Sequence, residues 1–173
     1  IQTEIKNAQA GKPARIVIKA NSLIDKKTID YLYKASQAGV TIDLIIRGTC
    51  ALVPKVKGIS DNITVRSILG RYLEHSRIYY FENSLKKSPR VYAGSADWMP
   101  RNFYRRIEVM FPLEDQEIRA KIFHILEIYM KDNMHTHYLN ANGSYKVLKK
   151  PLKRSQLISS QNCLLYTSPS PRD

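Results

Sequence analysis

The sequence predicts an α/β domain with a mixed, mostly parallel central sheet flanked by helices. Three observations predict it. Arg15 to Ala20 and Thr41 to Arg47 are compact β-branched runs with an amphipathic helix and a glycine between them. Four shorter β-rich runs follow. A second long amphipathic segment comes after those. Strand, helix, glycine turn and strand within about thirty residues make a βαβ unit, whose two strands run parallel.

In order along the chain, Ile1, Ile5 and Ala8 form a short helical stripe that reads as the end of an element begun upstream. Gly11-Lys12-Pro13 breaks it, because glycine and proline both stop helices. RIVIKA, from Arg15, reads as a buried strand. A helix is expected from Lys26 to Ala38, striped by Ile29, Leu32, Tyr33 and Ser36 and stopped by Gly39. TIDLIIR is the second strand. Pro54, Gly58 and Ser60-Asp61-Asn62 mark a loop from Gly48 to Asn62. Ile63 to Ile68, Arg77 to Glu82, Arg90 to Gly94 and Arg106 to Phe111 read as four more strands, with a Ser/Lys/Pro turn between the second and third. Glu114 to Met130 is an amphipathic helix carrying Ile118, Ile122, Ile125, Leu126 and Tyr129 on one face, with Pro112 ahead of it. Asn133 to Lys150 is polar, with Asn142-Gly143 as a turn signal.

The division expected is an upstream element ending at residues 1–12, one domain over 13–150, and a tail over 151–173. The tail has no hydrophobic period. Its end, CLLYTSPSPRD, resembles translated sequencing-adapter read-through, so residues beyond Ser155 are expected to be non-native or disordered. The chain begins at Ile1 with no basic-then-apolar leader and reads as a piece of something longer.

The 173 residues suit one domain with a real core, and 43% apolar with 25% charged residues argues against wholesale disorder. No run of about 18 apolar residues is present to span a membrane. Cys50 and Cys163 cannot build a disulfide framework, and no C-x-x-C metal knuckle exists, which fits a reducing, cytoplasmic setting. The formal charge of +13 points to a polyanionic partner.

Cationic chemistry concentrates between Arg47 and Arg106. Arg47, Lys55, Lys57, Arg66, Arg71, Arg77, Lys86, Lys87, Arg90, Arg101, Arg105 and Arg106 stand there against Asp61, Glu74, Glu82 and Asp97. A guanidinium forks onto phosphate oxygens with two parallel hydrogen bonds, so arginine suits sites where phosphate geometry must be fixed. Arg47 ends a parallel strand and precedes Gly48, the place where open α/β sheets hold ligands. An ion pair with a neighbouring carboxylate is the plainer reading of it. His75, beside Arg77 at the start of a strand, suits proton transfer at a phosphate. His124, His135 and His137 read as structural, and no third ligand joins the last two in a metal site. In Gly94-Ser95-Ala96-Asp97-Trp98-Met99-Pro100-Arg101-Asn102, the Gly-Ser pair would let backbone N–H groups approach an anion. There Asp97 could orient a histidine and Arg101 hold a phosphate, or the segment could be turn chemistry with Trp98 plugging the core.

Three blocks, in order and correctly spaced, resemble the carboxy-terminal catalytic domain of the bacterial polyphosphate kinase family. They are NSLIDKKTIDYLYKASQAGVTIDLIIRG (Asn21 to Gly48), ISDNITVRSILGRYLEHSRIYYFEN (Ile59 to Asn83), and VYAGSADWMPRN with RRIEVMFP (Val91 to Pro112). The resemblance covers about Ile1 to Asn140. A more distant one is to the phospholipase D superfamily, marked by His-x-Lys and a later Gly-Ser-x-Asn. The counterparts here are His75-Ser76-Arg77 and Gly94-Ser95-Ala96-Asp97. Arg for Lys and Asp for Asn depart from that pattern and point away from lipid or nucleic-acid hydrolysis.

The resemblance implies a phospholipase D-like fold and reversible transfer of the ATP γ-phosphate to inorganic polyphosphate through a phosphohistidine. It implies that Arg47 and His75 contact the nucleotide. The phosphorylated histidine, the Mg2+ site and a nucleotide-contacting tyrosine would lie upstream of Ile1, with no metal site in this chain. Arg77, Ser95, Asp97, Arg101, Asn102, Arg106 and Glu108 are further site candidates, Glu108 as a carboxylate that pairs with an arginine or orients a histidine. Expected partners are ATP or ADP, polyphosphate, the upstream catalytic domain and further copies in a homo-oligomer, with no specific nucleic acid. The expected location is the cytoplasm, peripheral to the inner membrane, and the fragment alone is expected to be inactive. Two alternatives stay open. One is a basic nucleic-acid-binding module stacking bases on Tyr79, Tyr80, Phe81, Tyr92, Phe103 and Tyr104. The other is a phospholipase D-type phosphodiesterase.

Overall fold

The computed structural model describes residues 1–83, 88–147, 153 and 156–167. Lys86 and Lys87 lie outside the described residues, as do most of the Ser/Lys/Pro turn and the end of the tail. Helix α1 (Gln2–Gln9) leads into strand β1 (Arg15–Ala20), helix α2 (Lys26–Gln37), strand β2 (Thr41–Ile46) and strand β3 (Ile63–Ile68). Strands β4 (Ile78–Phe81) and β5 (Arg90–Gly94), helix α3 (Pro100–Tyr104) and strand β6 (Met110–Pro112) follow. Helix α4 (Gln116–Lys131), strands β7 (Thr136–Leu139) and β8 (Tyr145–Val147) and helix α5 (Ser160–Thr167) complete the chain.

One eight-stranded sheet has the order β6-β5-β4-β1-β2-β3-β7-β8. Its centre is parallel as expected, β1 on β2 and β2 on β3. The remaining pairs, β1–β4, β3–β7, β4–β5, β5–β6 and β7–β8, are antiparallel. The sheet is therefore mixed but mostly antiparallel, not mostly parallel. The βαβ rule governs only strands joined by a crossover; β4 and β7 return from distant parts of the chain to lie antiparallel on β1 and β3, and the hairpin partners β5 and β8 follow them.

Both faces of the central strands are covered, which is why they read as continuous apolar runs. Ile16, Ile18, Ile42, Leu44 and Ile46 pack with Leu32 and Ala35 of α2 on one face. Val17, Ile45, Ile68, Ile78 and Tyr80 pack with Leu126 and Tyr129 of α4 on the other. Asp25 caps α2, accepting from the Thr28 backbone N–H at 2.8 Å and its hydroxyl at 2.7 Å. Gly39, at φ 95°, ends that helix where any side chain would be strained. On the α4 face, Asp43 bridges Arg15 at 2.9 Å and Arg66 at 2.8 Å, and Arg66 also donates to the Met130 carbonyl at 2.7 Å in the last turn of α4.

Two further differences from the expected elements are local. The RIEVMF strand shrinks to Met110–Pro112, so Glu108 stands on the approach to β6, not in a strand. The polar stretch after α4 forms the β7–β8 hairpin, an edge whose solvent-facing residues hid its period. The described part of the tail is attached: Asp132, at the end of α4, accepts from the Ser160 backbone and hydroxyl at 2.7 Å each, and Ser159, Ser160 and Gln161 are buried. Among the described residues no helix is long and apolar enough to cross a membrane.

Candidate active site

The register brings five strand ends to one edge of the sheet. Asn21 and Arg47 follow the parallel strands β1 and β2. β4 runs against β1 and pairs Ile78 with Lys19, so His75 to Arg77 enter at that same edge. β5 pairs Ala93 with Ile78, which delivers Ser95 and Asp97 beside them. β6 pairs Met110 with Gly94, which brings Arg106 and Glu108. A cleft of about 490 Å³ opens there, lined by Arg47, His75, Arg77, Ser95, Asp97, Arg101, Asn102, Arg106 and Glu108, together with Asn21 and Ser22. The structure thus brings together all nine candidates. Asn21 and Ser22 carried no signal of their own beyond their place at the end of β1.

Asp97 organises the floor. Its carboxylate accepts from Arg77 Nε at 3.2 Å and Nη2 at 3.1 Å, from the Asn21 backbone at 2.7 Å and from the Ser22 backbone at 3.3 Å. Burial is the largest single influence on its pKa and would raise it; the Arg77 guanidinium and the Asn21 N–H groups together hold the carboxyl below the usual range. The side chain that Asp97 holds is thus Arg77, where the sequence suggested a histidine. The Asn21 amide links the floor to Arg47: its nitrogen donates to Asp97 at 3.2 Å and its oxygen accepts from Arg47 Nε at 3.2 Å. Arg47 has no carboxylate within 4 Å among the described residues, so the plainer ion-pair reading does not describe it. Its two terminal nitrogens make no hydrogen bond to a described residue.

Glu108 accepts from Ser95 Oγ and Asn102 Nδ2, and these bonds, with nearby Arg106 and Arg77, lower its pKa against a smaller opposing effect of desolvation. Neither cleft carboxylate pairs with a histidine. The Ser95 N–H donates to the Val109 carbonyl at 2.9 Å and the Gly94 N–H to the Arg77 carbonyl at 3.4 Å, so this pair does not present N–H groups to an anion. Glycine is needed at 94 for a different reason. A Cβ there would lie 2.5 Å from the Val109 carbonyl oxygen and 3.2 Å from Met110 Cα. Gly94→Ala is expected to loosen β6 and cost about 1–3 kcal/mol; an unchanged urea midpoint would show that β6 yields freely.

Beneath the cleft lies Lys19, 1% exposed, donating to Ser76 Oγ at 2.8 Å and paired with Glu74 at 3.1 Å. Burial lowers its pKa most, Glu74 opposes this, and the charges of Arg47 and Arg77 add to the lowering. His124, His135 and His137 stand outside the cleft. The aromatic residues divide: Tyr79 is buried and stacks on Trp98 with centroids 5.5 Å apart, and Tyr80 packs on Phe123. Trp98 is thus a core plug. Phe81 and Tyr92 pack against the core, and only Phe103 and Tyr104 of the six are exposed. Among the described residues no three His, Cys, Asp or Glu side chains cluster to hold a metal.

Residues 1–161 match the family model described as "Polyphosphate kinase C-terminal domain 2". A polyphosphate kinase of Burkholderia multivorans is 48% identical over 160 residues, which are 91% of this chain but 23% of that protein. The crystal structure of polyphosphate kinase from Porphyromonas gingivalis superposes with a TM-score of 0.89 at 39% identity, over 95% of this chain and 25% of that one. A phospholipase D family member, Nuc from Salmonella typhimurium, shares the fold at a TM-score of 0.50 and 14% identity, over 72% of this chain and 82% of that one. The chain spans about a quarter of the length of the kinases it resembles. With most of its length matched at this identity, and with its sheet superposing on a solved kinase, the chain belongs to the polyphosphate kinase family and corresponds to its second carboxy-terminal domain.

Proposed function

We propose that the cleft is the nucleotide- and phosphate-binding half of a polyphosphate kinase active site. The observation that carries this reading is the meeting of His75 with Arg47, Arg101 and Arg106 in one cleft, with Arg47 steadied through Nε and open at its fork. The reaction is reversible transfer of the ATP γ-phosphoryl group to polyphosphate. The bond from the γ-phosphorus to the β–γ bridging oxygen breaks, a histidine outside this chain takes the phosphoryl group, and the terminal phosphate of polyphosphate receives it. Phosphoryl transfer asks a protein chiefly for positioning and charge stabilisation.

In this reading Arg47 clamps phosphate oxygens, and His75 hydrogen-bonds or protonates at the transferring phosphate. Arg77 is committed to Asp97 and to the His75 carbonyl, and so shapes the floor. Ser95, Asn102 and Glu108 brace the β6 side, and Arg101 and Arg106 draw polyphosphate to the mouth. Magnesium would neutralise charge on the nucleotide's phosphates. The residues present do not fit a metal site of their own, because Asp97 and Glu108 are already engaged, so its protein ligands are assigned to the upstream domain. That domain also supplies the phosphorylated histidine, which leaves this chain inactive alone. The full kinase is proposed to be a cytoplasmic homo-oligomer that touches the inner membrane peripherally.

Calorimetry with ATP and with polyphosphate tests the reading. Saturable ATP binding is expected, lost in Arg47→Ala and weakened in His75→Ala. Polyphosphate binding is expected to fall steeply with added salt, as counterion release requires of a polyanion. Equal binding of DNA, RNA and polyphosphate, erased by salt and unmoved by both substitutions, would overturn it. Cleavage of a simple phosphodiester without ATP would favour the phosphodiesterase instead.

A further inference from the structure

We propose that Gln161, with Lys19 beneath it, is a positioning residue for His75. This rests on the reading of His75 as the group that meets the transferring phosphate. The His75 side chain is exposed and makes no hydrogen bond to another described residue. Its placement must therefore come from the backbone on either side, in a stretch from Leu69 to Arg77 that has no helix or strand. Glu74 and Ser76, the residues flanking it, both turn inward onto Lys19 Nζ, Glu74 Oε2 at 3.1 Å and Ser76 Oγ at 2.8 Å. Lys19 thus pins the chain immediately before and after the imidazole from the middle of the sheet.

Gln161 fixes the other end of the stretch. Its Oε1 accepts from the Tyr72 N–H at 2.9 Å, and its Nε2 donates to the Tyr72 carbonyl at 2.8 Å and to Glu74 Oε1 at 2.8 Å. A side-chain amide, donor and acceptor together, satisfies both backbone groups of Tyr72 as a neighbouring strand would. A carboxylate here would lose both donated bonds and face Glu74. Gly70 leaves the room: a Cβ there would lie 2.3 Å from Gln161 Oε1. Asp132, 1% exposed at the end of α4, holds Ser160 and so sets where Gln161 starts.

The test uses the full-length kinase carrying this domain. Gln161→Ala and, independently, Gly70→Ala, which pushes the amide away, are each expected to lower kcat about 10- to 100-fold with the KM for ATP little changed. In a His75→Ala background neither should lower kcat further, because no imidazole remains to be misplaced. A folded Gln161→Ala enzyme with wild-type kcat, or equal losses in both backgrounds, would overturn the inference and leave the role of His75 standing. A His75→Ala enzyme with wild-type kcat would remove both. Thermal midpoints of every variant separate loss of positioning from loss of fold.

Discussion

Replacing His75 with alanine in the full-length kinase is expected to lower kcat by about 10²–10³, the usual cost of one preorganised donor at a developing charge. On the proposed reading the effect should exceed any rise in KM for ATP, because a donor to the phosphoryl group in transit acts more on the transition state than on the bound nucleotide. Steady-state rates in both directions, with a single-turnover measurement of phosphoryl transfer, check it. A His75→Ala enzyme whose KM rises while kcat stays put would reduce the imidazole to a ground-state contact.

Asp97→Ala is expected to cause the largest loss of stability, about 3–5 kcal/mol, the range for breaking one side of a buried ion pair. The carboxylate is 6% exposed and accepts from Arg77 and from the Asn21 and Ser22 backbones. Its removal strands a mostly buried guanidinium and two N–H groups together. The same carboxylate sets an acid limb. Its pKa is lowered in the fold, so its contribution is complete above about pH 4, the unfolded value, and is lost as pH falls through the folded value. Urea unfolding of wild type and Asp97→Asn across that window should show the difference between them narrowing as the pH drops. A constant gap would mean that the shape of the residue matters and its charge does not.

The centre of the fold was legible because its signals are local. RIVIKA and TIDLIIR, with Gly39 between, fix two parallel strands and hence the edge where Arg47 emerges. Strand direction beyond them was not legible. Nothing in IYYF or RVYAG says on which side of β1, or which way round, they will lie; tertiary packing decides that. Short elements escaped as well, α3 for its five residues and the β7–β8 hairpin for its polar edge, although Asn142-Gly143 marked the turn. In the cleft, arginines and His75 announce themselves by chemistry, whereas Asn21 is visible only once Asp97 and Arg47 are seen on either side of it. Gln161 was hidden by its surroundings: a buried polar residue in an aperiodic, serine-rich stretch has no hydrophobic period to mark it.

The strand order also dictates a sequence of events as the chain leaves the ribosome. β1, α2, β2 and β3 are contiguous, so the middle of the sheet can assemble from residues 15–68 with no strand from later in the chain. The wings must come back to it over long distances, Phe81 to Ile16 on one side and Tyr138 to Arg66 on the other. Until they do, both margins of the newborn three-stranded core expose unpaired N–H and C=O groups, the condition that invites pairing with a neighbouring nascent chain. The vulnerable interval in the life of this domain is thus the translation of residues 69 to 139, and the pieces that end it include those that build the cleft.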